Sequence, residues 1–91
     1  MGISPENYNE IRKAVLRRLY RETAWGKGHL LFERLQSGID AHLRGYVKYV
    51  LHDLMQQRLV CCYGKTRHGD AYYLNMSKKA EIERIISQPS R

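Results

Sequence analysis

The sequence has little of what a catalyst needs. No serine or cysteine sits in a recognised nucleophile motif, and His29, His42, His52 and His68 are scattered along the chain. The glycine fingerprints that cradle phosphates or dinucleotides are missing. An enzyme is therefore not expected, nor is a cofactor. Cysteine is confined to the adjacent pair Cys61 and Cys62. Neighbours in a strand face opposite ways, so a bond between them would be strained. They read as small buried strand residues, kept reduced as in a cytosolic protein. A Cys-Cys pair with a distant histidine also lacks zinc-ligand spacing, so no metal is expected. Long apolar runs are missing too: none approaches the ~20 residues of a membrane span. Met1 to Glu10 is polar and has no signal-peptide core. The expectation is a soluble, cytoplasmic chain with no membrane partner. Repeats, low-complexity tracts and linkers are likewise lacking, and 91 residues suit one domain, ordered over about 4–87 with a polar tail at 88–91.

What the chain does have is positive charge. Lys and Arg total 16 against 9 Asp and Glu, a formal net charge of +7. Such a surplus attracts polyanions: nucleic acid, an acidic membrane or an acidic protein face. Hydrophobic residues make up 43%, enough for one compact core.

Local signals outline the elements. Ser4-Pro5-Glu6 is a helix start, with Ser4 as cap, Pro5 at the first position and Glu6 complementing the dipole. Tyr8, Ile11, Val15, Leu16 and Leu19 follow at helical spacing. Arg12, Lys13, Arg17, Arg18 and Arg21 cover the rest of that helix, either as a solvated face or with a few reaching phosphates. The glycines in Thr23 to Gly28 break the helix, and Trp25 is expected to cap the core. His29 to Gln36 reads as a short second helix, ended by a left-handed Gly38. Asp40 is placed to cap a third helix over about Ala41 to Gln57, with Leu43, Val47, Val50, Leu51 and Leu54 as its apolar stripe. Leu59 to Tyr63 and Ala71 to Leu74 read as two strands joined by the polar, glycine-bounded connection Gly64 to Asp70. Asn75 or Ser77 opens a last helix through about Ile86.

The resulting order, α-α-α-β-β-α, is an α+β fold in which three helices precede a two-stranded hairpin. Val47, Leu51, Leu54, Leu59 and Val60 resemble the run from recognition helix into wing in winged helix-turn-helix transcription regulators of the prokaryotic and archaeal type. Tyr72-Tyr73-Leu74-Asn75 resembles the outgoing wing strand and its entry to a final helix. The resemblance spans roughly residues 8–86. It departs at Arg58, where these regulators usually carry the glycine that lets the chain leave the helix.

The resemblance implies that the third helix enters a DNA major groove, whose base edges distinguish every base pair. The residues it makes groove-facing are Arg44, Gly45, Tyr46, Lys48, Tyr49 and His52. Arg44 and Lys48 lie four apart, on one face of a helix. Gly45 weakens a helix by ~1 kcal/mol relative to alanine, which hints at a packing or contact reason. The wing tip would bring Lys65, Thr66, Arg67 and His68 to phosphates or the minor groove. From Ala41 to Gly69 there are five Lys or Arg and one acid, Asp53, so positive charge is concentrated where this arrangement would put DNA. Tyrosine is abundant. Tyr46 and Tyr49 are the best candidates for nucleic-acid contact, the others packing in the core or across the hairpin.

Two functions follow. One is a duplex-DNA-binding regulator, paired as a homodimer through the first and last helices by way of Tyr8, Ile82, Ile85 and Ile86. The other is the same fold used as a protein or RNA interaction module without sequence-specific DNA binding.

Overall fold

Ser4 opens the first helix as its chemistry predicts. Its side-chain oxygen accepts a hydrogen bond from the Asn7 N–H at 3.1 Å, and Pro5 fills the first helical position. The computed structural model describes residues 2–88, so the expected tail at 88–91 lies outside the described residues apart from Gln88. Helix α1 (Pro5–Arg21) buries Ile11, Val15, Leu16 and Leu19. It ends in a Schellman motif: the Ala24 N–H donates to the Leu19 carbonyl at 3.0 Å and the Thr23 N–H to the Tyr20 carbonyl at 3.1 Å. The left-handed position falls on Thr23, at φ 53°. Trp25 then packs against the rim of the core, edge-on to Tyr20 at 5.7 Å.

The second helix is shorter than the sequence suggests. Strand β1 (Leu30–Leu31) precedes α2 (Phe32–Gln36), so His29 to Leu31 are not helical. The reason is long-range: Leu30 and Leu31 pair with Tyr72 and Ala71, giving backbone groups of a distant strand their partners. Gly38 does not adopt a positive φ, and α2 closes through Ser37 in ordinary helical geometry. The expected third helix is divided. Ala41–Tyr46 is a 3₁₀ segment, and α3 (Val47–Gln56) carries the α-helical part. Asp40 makes no side-chain cap bond. The division falls beside Gly45, the weakest helix former in the run.

Helix α3 leaves through a second Schellman motif. The Leu59 N–H donates to the Leu54 carbonyl and the Arg58 N–H to the Met55 carbonyl, each at 3.0 Å. Arg58 takes the left-handed position at φ 65°, so the chain makes the glycine-type turn with a non-glycine residue. Asn75 braces it: its side-chain N–H donates to the Arg58 carbonyl at 2.7 Å and its backbone N–H to the Leu59 carbonyl at 3.0 Å.

Strands β2 (Val60–Thr66) and β3 (Gly69–Leu74) form an antiparallel hairpin longer than expected. The stretch Gly64 to Asp70 is mostly strand, and only Arg67 and His68 remain as the turn. A bulge at Tyr63, between the Cys62 and Gly64 pairings, lets the ladder resume beyond it, with Gly64 at φ 127°. The sheet has three strands in the order β1-β3-β2, not two. Asn75 accepts from the Ser77 N–H at 3.2 Å, and a 3₁₀ turn (Met76–Lys78) leads into α4 (Lys79–Ile86).

The core is one cluster in which α1, α3, α4 and the inner face of the sheet meet. Ile11, Leu16, Leu51, Leu54, Leu59, Leu74 and Ile82 are fully buried in it. Each such side chain contributes about 1.5–3 kcal/mol of transfer free energy. Ile82 and Ile85, expected to offer a dimer surface, are consumed inside the chain; Tyr8 and Ile86 are half-buried against the same core. The basic face of α1 is also used internally. Lys13 Nζ donates to the Gln88 carbonyl at 2.8 Å and Arg17 Nη2 to the Ile86 carbonyl at 2.9 Å. These cations complement the negative C-terminal end of α4. Arg18 pairs with Glu22 at 3.4 Å, one turn on. Among the described residues no helix is long and apolar enough to cross a membrane.

Candidate nucleic-acid interface

Four apolar positions, Val47, Val50, Leu51 and Leu54, hold α3 against the core, which turns its other side to solvent. Lys48, His52 and Gln56 form one exposed row, spaced four apart as a helix face requires. Lys48 Nζ lies 5.6 Å from the Phe32 ring centroid, a cation-π contact that joins α3 to α2. A His52 ring nitrogen lies 3.2 Å from Gln56 Nε2. Tyr49, Asp53 and Gln57 form the adjacent row, nearer α1. Tyr49 is 59% exposed and meets Tyr8 edge-on at 6.5 Å.

Asp53 is the only acid of this segment, and it is engaged. It accepts from the Tyr8 hydroxyl, and from Gln57 Nε2 at 3.1 Å. Burial, and then the bond to Asp53, hold the Tyr8 phenol above its ordinary value of 10.0. Ionised tyrosine is thus less favoured in the folded chain than in the unfolded one. The stability from this contact is complete below pH 10 and is lost as pH rises through the raised folded value. Urea midpoints measured up an alkaline series should fall, and the Tyr8→Phe variant should show a shallower fall. An identical fall in both would refute the assignment to Tyr8.

Arg44 and Gly45 precede α3 in the 3₁₀ segment, so Arg44 does not share an α-helical face with Lys48. Arg44 is exposed, but its Nε donates to the Ile39 carbonyl at 2.9 Å, clamping the turn after α2. Gly45 is exposed, and a Cβ built there would meet nothing within 4 Å. Packing therefore gives no reason for glycine. Gly45→Ala should raise stability by about 0.5–1 kcal/mol in urea unfolding. A loss instead would mean the backbone there needs glycine. Tyr46 is half-buried and, with Tyr49, Gly2 and Ile3, lines a recess of about 260 Å³.

On the hairpin, Lys65 is exposed and registered opposite Asp70. Thr66 organises the turn: its hydroxyl donates to the Gly69 carbonyl at 2.7 Å and accepts from the His68 N–H at 3.1 Å. That hydroxyl is therefore occupied within the turn. Arg67 and His68 stand exposed at the tip. The expected residues thus fall in two groups, one at α3 and its approach and one at the hairpin tip.

Two features were not anticipated. His29 stacks on Tyr63, with ring centroids 4.0 Å apart and planes inclined by 14°. Tyr63 is 54% exposed despite this contact. Alternation along β2 could not locate Tyr63, because the bulge sits there. Cys62 is exposed rather than buried, while Cys61 is half-buried; both are free thiols. Among the described residues, no cluster of three or more His, Cys, Asp or Glu could hold a metal ion. Comparison with known protein families, curated proteins and solved structures gives no match.

Proposed function

We propose that this chain is a winged-helix domain that binds double-stranded DNA, with α3 in a major groove and the hairpin tip along the backbone. The fold supports this reading through its order: helices first, then a basic hairpin, then a closing helix. The observation that carries it is the distribution of charge on α3. Lys48 and His52 stand exposed on one row while the only carboxylate, Asp53, is held by Tyr8 and Gln57 on the row beside it. The outward row therefore presents donors to base edges and phosphates, without an unpaired acid beside them. Of the five basic residues of α1, Lys13 and Arg17 serve the end of α4 and Arg18 pairs with Glu22, which leaves fewer of them to compete for this role. Recognition of a promoter or operator, and hence transcription regulation, belongs to the same proposal.

The test is a titration of random-sequence duplex DNA at two salt concentrations with the wild type and Lys48→Ala/Arg67→Ala. Binding that weakens with salt and with the double substitution supports the reading. No binding at low salt would sink it and leave the alternative, a protein or RNA interaction module.

A further inference from the structure

The His29–Tyr63 stack has no part in the duplex contact proposed above, and its geometry is that of a base step. Two rings lie 14° from parallel at 4.0 Å, close to the ~3.4 Å rise between bases in one DNA strand. Both rings are exposed, and Tyr63 is one of only three large hydrophobic side chains so exposed among the described residues. The hydrophobic core does not need it: Tyr63 is neither in the buried cluster nor among the side chains packed on it. Its position comes from the bulge between the Cys62 and Gly64 pairings, and bulges re-aim side chains next to functional sites.

The surroundings are basic. Lys65 lies two residues along β2 from Tyr63, about 7 Å at the strand rise, and Arg67 follows at the tip. Lys27 lies two residues before His29. The acid of this hairpin, Asp70, is registered opposite Lys65. An aromatic face flanked by cations is the chemistry that holds unpaired bases: the ring stacks on a base and the cations meet its phosphates.

We propose that the His29–Tyr63 stack is a second binding site, a platform for an unpaired base of single-stranded DNA that continues from the bound duplex. The choice of DNA rests on the duplex reading, because the platform shares its hairpin with the Arg67 tip. A base stacks on the outward face of the pair, and Lys65 and Arg67 follow the strand back to the duplex.

The experiment compares one duplex, blunt or carrying a short oligothymidine overhang, with free oligothymidine and oligouridine. Wild type should prefer the overhang to the blunt end by about tenfold, within the range for stacking one base. Tyr63→Ala and His29→Ala should erase that preference, leaving blunt-duplex affinity and thermal midpoint unchanged. Tyr63→Phe should keep it. Equal wild-type affinity for blunt and overhanging duplex would overturn the platform, and so would equal weakening of both by Tyr63→Ala. Tighter binding of oligouridine than of oligothymidine would overturn the assignment to DNA. Should blunt duplex fail to bind while oligothymidine binding still depends on Tyr63, the platform stands and the duplex reading falls.

Discussion

Gly28→Ala should lower the stability of the fold by about 1–3 kcal/mol, the usual cost of forcing an extra carbon into filled space. A Cβ at this position would lie 2.8 Å from the Thr23 carbonyl oxygen and 3.5 Å from the Ala24 Cα. Both neighbours are backbone, so no side chain can swing away. Nor can that backbone shift freely. The Thr23 and Ala24 N–H groups close the α1 Schellman motif, and the Ala24 carbonyl accepts from the Leu74 N–H at 2.7 Å. Thr23 carries its own strain, as a β-branched residue at φ 53°. Thr23→Gly should therefore recover about 1 kcal/mol, the left-handed penalty less the extra freedom glycine has when unfolded. For a domain of this size each kcal/mol moves the thermal midpoint by about 4–8 °C. Opposite shifts of the two midpoints are the expected result. An unchanged midpoint for Gly28→Ala would show that the α1–β1 connection is not as close as described.

The second large effect is on duplex affinity. If Arg44, Lys48, Lys65 and Arg67 each neutralise one phosphate, counterion release gives a slope of about −3.6 in log affinity against log salt. Raising salt fourfold should then weaken binding on the order of 100-fold. Lys48→Ala/Arg67→Ala should flatten that slope by about 2, roughly one per lost phosphate contact. Lys13→Ala and Arg17→Ala should leave the slope unchanged, because these cations face the end of α4; their effect should be on stability. A slope that responded equally to all four substitutions would mean that the whole positive surface attracts DNA, with no oriented interface.

Those two cations mark where sequence reading stops. The start of α1 was legible because Ser4, Pro5 and Glu6 act within one turn, and its apolar stripe because the period is local. The last helix was legible for the same reason, through Asn75 and the isoleucines. Lys13 and Arg17 gave no hint that their partners are carbonyls some 70 residues away. Leu30 and Leu31 continue a helical-looking run, and only pairing with Ala71 and Tyr72 makes them a strand. Two residues hold no period from which to read that. The 3₁₀ approach to α3 was not legible: Gly45 reads as a sign of packing or contact within one continuous helix. Arg58 was the clearest local departure, and the fold meets it by accepting a left-handed arginine rather than by moving the helix end.

For the candidate site, composition concentrated positive charge between Ala41 and Gly69, and most of the named residues are exposed. What it could not supply was direction. Arg44 and Thr66 are turned to backbone partners, while Tyr63 sits at the bulge in β2 and is exposed.

The brace between Asn75 and the Arg58–Leu59 turn has a mechanical consequence. It ties the residues just before the hairpin to the residue just after it, at its root, where α3 ends and the chain turns toward α4. A beam clamped at its root cannot slide one strand past the other there. Motion is driven outward, into the stretch beyond the bulge, so compliance grows toward Arg67 and His68. The tip can then adjust to an irregular surface while the angle at which the hairpin leaves α3 stays fixed.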